Sequence, residues 1–451
     1  MIKSPPSSLH KDPLAWIAEN ESQDLQQYFD HASALDTKGR YLHFDELRFR
    51  LPKGLNVNVI WSLIKKVRAK QLNAVLHLDE PERLAQYYFT PTMQKAISMT
   101  DRHATSASLE YMCSKVGEQK HFEYLLNDLI EDEAISSSQL EGAATTTKVA
   151  KDLLKRARKP RTIDEKMIIG NFKMMQFAWQ NRHKRLSIEL IQEMHQVGVE
   201  NIDDEKYHPG VFRQTDDVEV ADSEGNTVHT PPPAARIDER LEQFVEWVNQ
   251  DNQDEESNQF MHPLIKAIVM HFVIGFEHPF RDGNGRVARS LFYWFMFKND
   301  YAAFRYIAIS VLLKAAPIQY GKSYLYTESD ELDLTYFIDY QCKIITRAIS
   351  EFKLAYETNL KESEAFSRWL WSSGLLSKLS DKQKTIVMVA KNGKSQKFTA
   401  VNVKENLGCS YNTARDALNG LVELNLFDKA KEGKEWVFAL RPQKDIIQSW
   451  E

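Results

Sequence analysis

The stretch His278-Pro-Phe-Arg-Asp-Gly-Asn-Gly-Arg-Val-Ala-Arg289 concentrates residue types that can do phosphate chemistry. Gly283-Asn-Gly285 can take backbone angles closed to most residues, so successive N–H groups can point into one concavity at the start of a following helix. Such a concavity binds anions, and the positive end of the helix reinforces it. Arg286 and Arg289 stand three positions apart, near neighbours on a helix surface, and a guanidinium fork suits phosphate oxygens. Asp282 adds a hard oxygen of the kind Mg2+ takes together with substrate phosphates and water. His278 is the only side chain in the loop able to exchange a proton near neutral pH. Base, metal ligand, phosphate cradle and charge clamp together imply a polyphosphate.

Three other readings fit parts of the same stretch. Gly283-Asn-Gly-Arg-Val-Ala288 satisfies the dinucleotide fingerprint GxGxxA, but that fingerprint follows a strand in a βαβ unit, and the residues before His278 are helical in period. His278 as a structural histidine above an ordinary glycine cap is opposed by the combination of chemical groups around it. A metal pair of His278 and Asp282 at helical spacing needs a continuous helix, which Pro279 and the adjoining glycines oppose.

Helices must position the loop. Ile265, Ile268, Val269, Phe272 and Phe276 mark one face of a helix that starts at Pro263 and ends near Glu277, and Val287, Leu291, Trp294 and Phe295 mark the next. His262 and His271 read as capping or core residues. Upstream, helical spacing runs through Tyr124–Ile130, Val149–Arg156, Met167–Gln180 and Ile188–Val199, and Leu241–Val248 repeats it. Tyr207-His-Pro-Gly-Val-Phe-Arg213 breaks the pattern. Val218–Val220 and Val228–Thr230 then flank Asp222-Ser-Glu-Gly-Asn226 as a small hairpin before Pro231–Pro233 stops it. The first hundred residues read as a helical extension without internal repeats.

Composition narrows the class. At 451 residues the chain favours two or three domains, and 43% hydrophobic with 27% charged residues is ordinary for a soluble globular protein. A formal charge of −5 argues against a chain built mainly to coat nucleic acid. The three cysteines, Cys113, Cys342 and Cys409, lack CxxC spacing, so neither a disulfide framework nor a zinc site is indicated. The start has no apolar secretion segment and no later apolar run is long enough for a bilayer, so a cytoplasmic protein without membrane contact is expected.

His278–Arg289 resembles the Fic family signature HxFx[D/E]GNGRxxR, with every specified position filled, and the likeness extends over the helical core from about Phe122 to Gln341. The resemblance implies that His278 deprotonates a target hydroxyl that attacks the α-phosphate of ATP. Pyrophosphate would leave on Mg2+ held through Asp282. Arg286 and Arg289 would steady the phosphates, the amides around Gly283, Asn284 and Gly285 would bind anionic oxygens, and Phe280 would pack inward to fix the loop. Tyr320 lies where family members often place an aromatic near the nucleotide. The small hairpin resembles the family flap, which aligns a target segment as an added strand.

A second motif, Ser137-Ser-Gln-Leu-Glu-Gly142, carries the [S/T]xxxE[G/N] spacing of the family's inhibitory helix and precedes the loop in sequence. By the resemblance, Glu141 pairs with Arg289 and denies the γ-phosphate its arginine, with Ser137 and Gly142 completing the motif. One carboxylate on an arginine removes a phosphate donor by direct competition.

After Asp381 the pattern changes to three short helices, with a turn at Gly408, a helix N-cap at Ser410, and a Gly-centred hairpin in Lys429–Phe438. That arrangement resembles a winged helix. Its presumed recognition helix offers Arg415 as a cation beside Asp416 and Glu423, so DNA and a docking or dimerisation partner are both readings of it.

The expected fold is mainly α: an N-terminal helical extension at 1–110, and a Fic-type helical core at 111–375. The core would carry an inhibitory helix at about 131–143, a hairpin flap at about 212–231 and the loop at 278–289. A winged helix-turn-helix domain would follow at 376–451. The expected function is AMP transfer from ATP to Tyr, Thr or Ser hydroxyls of a target protein, with Mg2+ as cofactor and a homo-oligomer compatible with it. The alternatives are a hydrolase removing AMP at the same site and a transcriptional regulator that senses ATP.

Overall fold

The helix Pro263–Glu277 begins at a proline in its first turn and is capped by the His262 ring, which accepts from the Leu264 amide. Periodicity marks one apolar face, but in the computed structural model nearly every residue from Pro263 to Glu277 is buried, so the helix runs through the centre of the core. Even Lys266 is enclosed, its ammonium 3.0 Å from the Gln250 carbonyl and over the Trp247 ring. The helix after the loop, Asn284–Lys298, is buried as thoroughly and packs against the first along its length. The structure describes residues 2–79, 81–116, 131–155, 159–204, 207–221, 225–250, 260–391, 397–432, 435–442 and 445–446.

Around this pair stand Ile163–Gln180, capped by Thr162, and Ile188–Val199, capped by Ser187. They touch backbone to backbone: a Cβ on Gly170 would collide with the Gly198 carbonyl, whose carbon would lie 2.8 Å away. That contact requires glycine, and it sets the Gly198 carbonyl within reach of Arg286. A helix at 131–140 carries the Ser137 motif, which runs into a turn at Glu141 and Gly142. Tyr124–Ile130 lie outside the described residues.

The expected hairpin forms as Val220–Ala221 paired antiparallel with Thr227–His229, with Val220 opposite His229. Its turn at 222–224 is outside the described residues. The 38-residue helix Thr335–Ser372 packs on Pro91–His103 and on Pro317–Ser329.

In the first hundred residues the structure adds strands that the helical reading did not include. Asn73–Leu78 and Arg83–Tyr87 form an antiparallel hairpin with an irregular register near Ala74. The apolar residues of this hairpin do not alternate cleanly, which hid it from a period-two reading. Leu78, Ala85 and Tyr87 join the main core. At the other end, Asp381–Lys391, Ala400–Leu407 and Tyr411–Glu423 close on the hairpin Phe427–Glu432/Glu435–Leu440 around their own apolar cluster. Gly408 takes a left-handed cap conformation and Ser410 caps the last helix through the Thr413 amide. Among the described residues no helix is long and apolar enough to cross a membrane.

Candidate active site

His278 terminates the central helix in a left-handed conformation, φ 47°, rare for a residue with a side chain. Its Nδ1 stands 2.9 Å from the Gly275 carbonyl. A carbonyl only accepts, so the proton sits on Nδ1 and Nε2 carries the lone pair. Burial lowers the pKa to about 4, and the positive charge at His229 and Arg213 acts the same way against the Gly275 bond and Glu141. The ring is therefore neutral at neutral pH and ready to accept a proton.

The loop is held by its own side chains. Asn284 accepts from the Phe280 amide and donates to the Phe280 carbonyl, both at 2.8 Å, so its amide group fixes the loop while its backbone opens the following helix. Phe280 is fully buried and stacks on the His195 ring at 3.8 Å. Gly283 takes φ 85° as the cap before Asn284. Asp282 folds its carboxylate back to accept from the Gly283 amide at 2.5 Å.

The two arginines have different surroundings. Arg286 is fully buried, its Nη1 is 3.5 Å from the Gly198 carbonyl, and its Nε and Nη2 meet no hydrogen-bond partner among the described residues. The Tyr207 ring lies beneath its guanidinium at 5.5 Å. A buried guanidinium with open donors at a helix start suits an anion.

Arg289 is engaged at Nε and Nη2. Its Nε donates to the Ser137 hydroxyl at 2.8 Å, and its Nη2 to the Ser137 carbonyl at 3.0 Å and to Glu141 Oε1 at 2.8 Å. The Arg289 side chain is 1% exposed and that of Glu141 22%. Burial by itself would raise the Glu141 pKa, but the Arg289 charge and hydrogen bond, with Arg286 and His278, bring it below the usual carboxylate range. The carboxylate lies directly over the loop: a Cβ on Gly285 would have Glu141 Cδ and Oε2 at 2.8 and 2.9 Å. Glu141 thus covers the first turn of the helix Asn284–Lys298 as well as the arginine. Gly142, at φ 95°, turns the chain away behind it.

Tyr320 is also beside the site. Its hydroxyl is 2.8 Å from His271 Nε2, burial raises its pKa, and the Arg289 charge counters that rise. His271 is deep in the core, as expected, but faces this tyrosine.

Sequence reading missed two residues that hold the loop. His195 Nδ1 accepts from the Gly210 amide, so its Nε2–H donates to the Asp282 carbonyl, each at 3.0 Å. Arg213 donates through Nε to the His278 carbonyl at 2.9 Å, through Nη2 to the carbonyls of Glu277 and Pro232, and through its own amide to Pro279. Gly210 and Arg213 both lie in the stretch that looked like a mere break, and Arg213 is its one side chain with five fixed donors.

Among the described residues no group of three or more His, Cys, Asp or Glu side chains could hold a metal ion alone. The donor set fits Mg2+ only in company with phosphate oxygens, through Asp282.

Residues 185–296, which include the whole loop, match the Fic/DOC family. The chain is similar to Protein adenylyltransferase fic-1 of Caenorhabditis briggsae, 30% identical over 116 residues, covering 25% of this chain and 22% of that protein. It is 25% identical over 290 residues to Protein adenylyltransferase Fic of Drosophila grimshawi, covering 60% of this chain and 53% of that one. The chain therefore spans between 22% and 53% of the length of these two relatives. A solved Fic family protein from Desulfovibrio desulfuricans G20 superposes with a TM-score of 0.49 at 16% identity, covering 79% of this chain and 98% of that one.

Proposed function

We propose that this chain transfers AMP from ATP to a hydroxyl side chain of a target protein and is restrained by its own Glu141. The observation that carries the reading is the pair of buried guanidiniums at the loop: Arg286 with open donors, and Arg289 closed by a carboxylate where a phosphate oxygen would stand.

His278 Nε2 takes the proton of the target hydroxyl as its oxygen bonds to the α-phosphorus; the bond to the β-phosphate oxygen breaks and pyrophosphate leaves. The amides of Gly283 to Gly285 and the Arg286 fork hold the phosphates in line. Mg2+, held by Asp282 and the phosphates, would neutralise charge on the leaving group. The flap would present the target segment, and Tyr320 would stand beside the nucleotide. With Glu141 in place Arg289 cannot reach the γ-phosphate, and ATP lies unproductively. The C-terminal segment we read as a winged helix that docks a partner, because the helix Tyr411–Glu423 offers Arg415 as its one cation beside Asp416 and Glu423.

AMP removal is the second reading, supported by the Glu141 carboxylate lying close enough for its charge to act on His278, where it could orient a water.

Labelling of protein from α-phosphate-labelled ATP with Mg2+ tests both. Glu141→Gly is expected to label strongly, wild type weakly, and Glu141→Gly/His278→Ala at least ~100-fold less than Glu141→Gly. Labelling that survives His278→Ala would sink the mechanism, and no labelling by any variant would turn the reading to AMP removal, checked by release of AMP from a modified protein.

A further inference from the structure

The second flap strand ends at His229, whose ring is fastened at both nitrogens. Nδ1 is 2.8 Å from Glu328 Oε2, and Nε2 is 2.8 Å from the Phe276 carbonyl. Carboxylate and carbonyl oxygens only accept, so both ring nitrogens donate and the ring is an imidazolium. The pair is shielded, with 8% of the His229 side chain and 18% of that of Glu328 exposed. Phe276 lies two residues before His278, and the two histidine ring centroids are 6.5 Å apart. The groups facing His229 are Glu328 from Pro317–Ser329, Asp79 from the turn of the N-terminal hairpin, and His278 from the loop. Arg213 ties the Pro232 carbonyl, just past the flap, to the same helix end.

We propose that His229 is a positioning residue: a charged latch to Glu328 and the Phe276 carbonyl that fixes the height of the flap strand, and so of a target segment added along it, over the His278 ring. This rests on the AMP-transfer reading. Short flap strands with two residues on one side and three on the other supply little rigidity of their own. The anchor must come from elsewhere, and among the described residues of the two strands His229 bonds to the end of the helix that carries His278.

Burial opposes the charge on His229, but the hydrogen bond and charge of Glu328, the Phe276 carbonyl and Asp79 together raise its pKa above 6.5. A raised folded pKa means that the latch is complete below 6.5 and is lost as pH climbs through the raised value.

The test uses the full chain and two readouts. With Glu141→Gly as parent, His229→Gln and Glu328→Gln are compared for labelling of a pool of random peptides containing Ser, Thr and Tyr. The KM for peptide is expected to rise roughly tenfold, the size of one charge-assisted hydrogen bond, with the KM for ATP unchanged. Separately, NMR follows the His229 ring with pH: it should titrate above 6.5 and move down in Glu328→Gln, which keeps the ring should His229→Gln fail to fold. A ring titrating at or below 6.5, or variants with the parent's peptide KM, would overturn the proposal. If the Glu141→Gly parent labels nothing, the AMP-transfer reading fails, while the ring titration still decides the latch.

Discussion

His278 is kept neutral, as the proposed base must be, by backbone and burial rather than by a carboxylate partner. Its Nδ1 proton is held on the Gly275 carbonyl, and its pKa falls to about 4. Glu141 raises that pKa, so removing it lowers the value further. The kcat/KM of Glu141→Gly is therefore expected to stay level from neutral pH downward and to fall only at or below about 4. A pH–rate profile with an acidic limb near the ordinary histidine value would contradict this assignment. The identities of His278, Asp282, Arg286 and Arg289 were legible in the sequence because they sit in one short stretch. His195 and Arg213 were not, because each acts on that stretch through a backbone carbonyl from more than sixty positions away, and nothing in local spacing marks such a bond.

At the scale of elements, the helix at 131–140 and the turn after it deliver three acceptors to one arginine, of which Glu141 is only the last, and the proposed brake rests on all three. Ser137→Ala removes the hydroxyl but keeps the carbonyl and the carboxylate. It should relieve inhibition partially, giving labelling between wild type and Glu141→Gly, as expected for losing one bond worth about 1.5–3 kcal/mol to a charged group. Equal labelling by Ser137→Ala and wild type would mean that Glu141 holds Arg289 alone. Glu141 has a lowered folded pKa, so its pairing is present above the unfolded value of 4.5 and is lost as pH falls through the lower folded one. The brake should not respond to pH near neutrality. The helices themselves were legible from period and caps, whereas the hairpin at 73–87 was not, since its apolar residues do not alternate cleanly and Gln86 bonds outward to Leu332 and Leu334 far along the chain.

At the scale of the molecule, the first seventy residues are fastened to the helical core by buried charge. Arg68, 2% exposed, donates to the Ala34 and Leu42 carbonyls and to the Tyr336 hydroxyl, while Tyr41 donates to Asp333 and Lys65 pairs with Asp330 at 2.9 Å. Losing Arg68 strips the Ala34 and Leu42 carbonyls of their donor inside the core and takes a positive charge from beside Asp330 and Asp333. Arg68→Ala is expected to destabilise the chain by about 3–5 kcal/mol, measured by denaturant unfolding, with a loss under about 1 kcal/mol counting against this role. The C-terminal helices and hairpin gather around a separate apolar cluster, consistent with a unit that has its own core.

The sequence by itself determined the chemical parts and the helical class, because a loop signature and a helical period are both local. It also determined that Glu141 is a candidate partner of Arg289. Only the tertiary structure decided that Glu141 lies over Gly285 as well as on Arg289, that Arg286 keeps open donors, and that His229 closes the flap onto the end of the central helix. Each of these depends on which atoms of distant segments come within about 3 Å of one another, and that is set by packing of whole helices, a quantity no short window of residues contains.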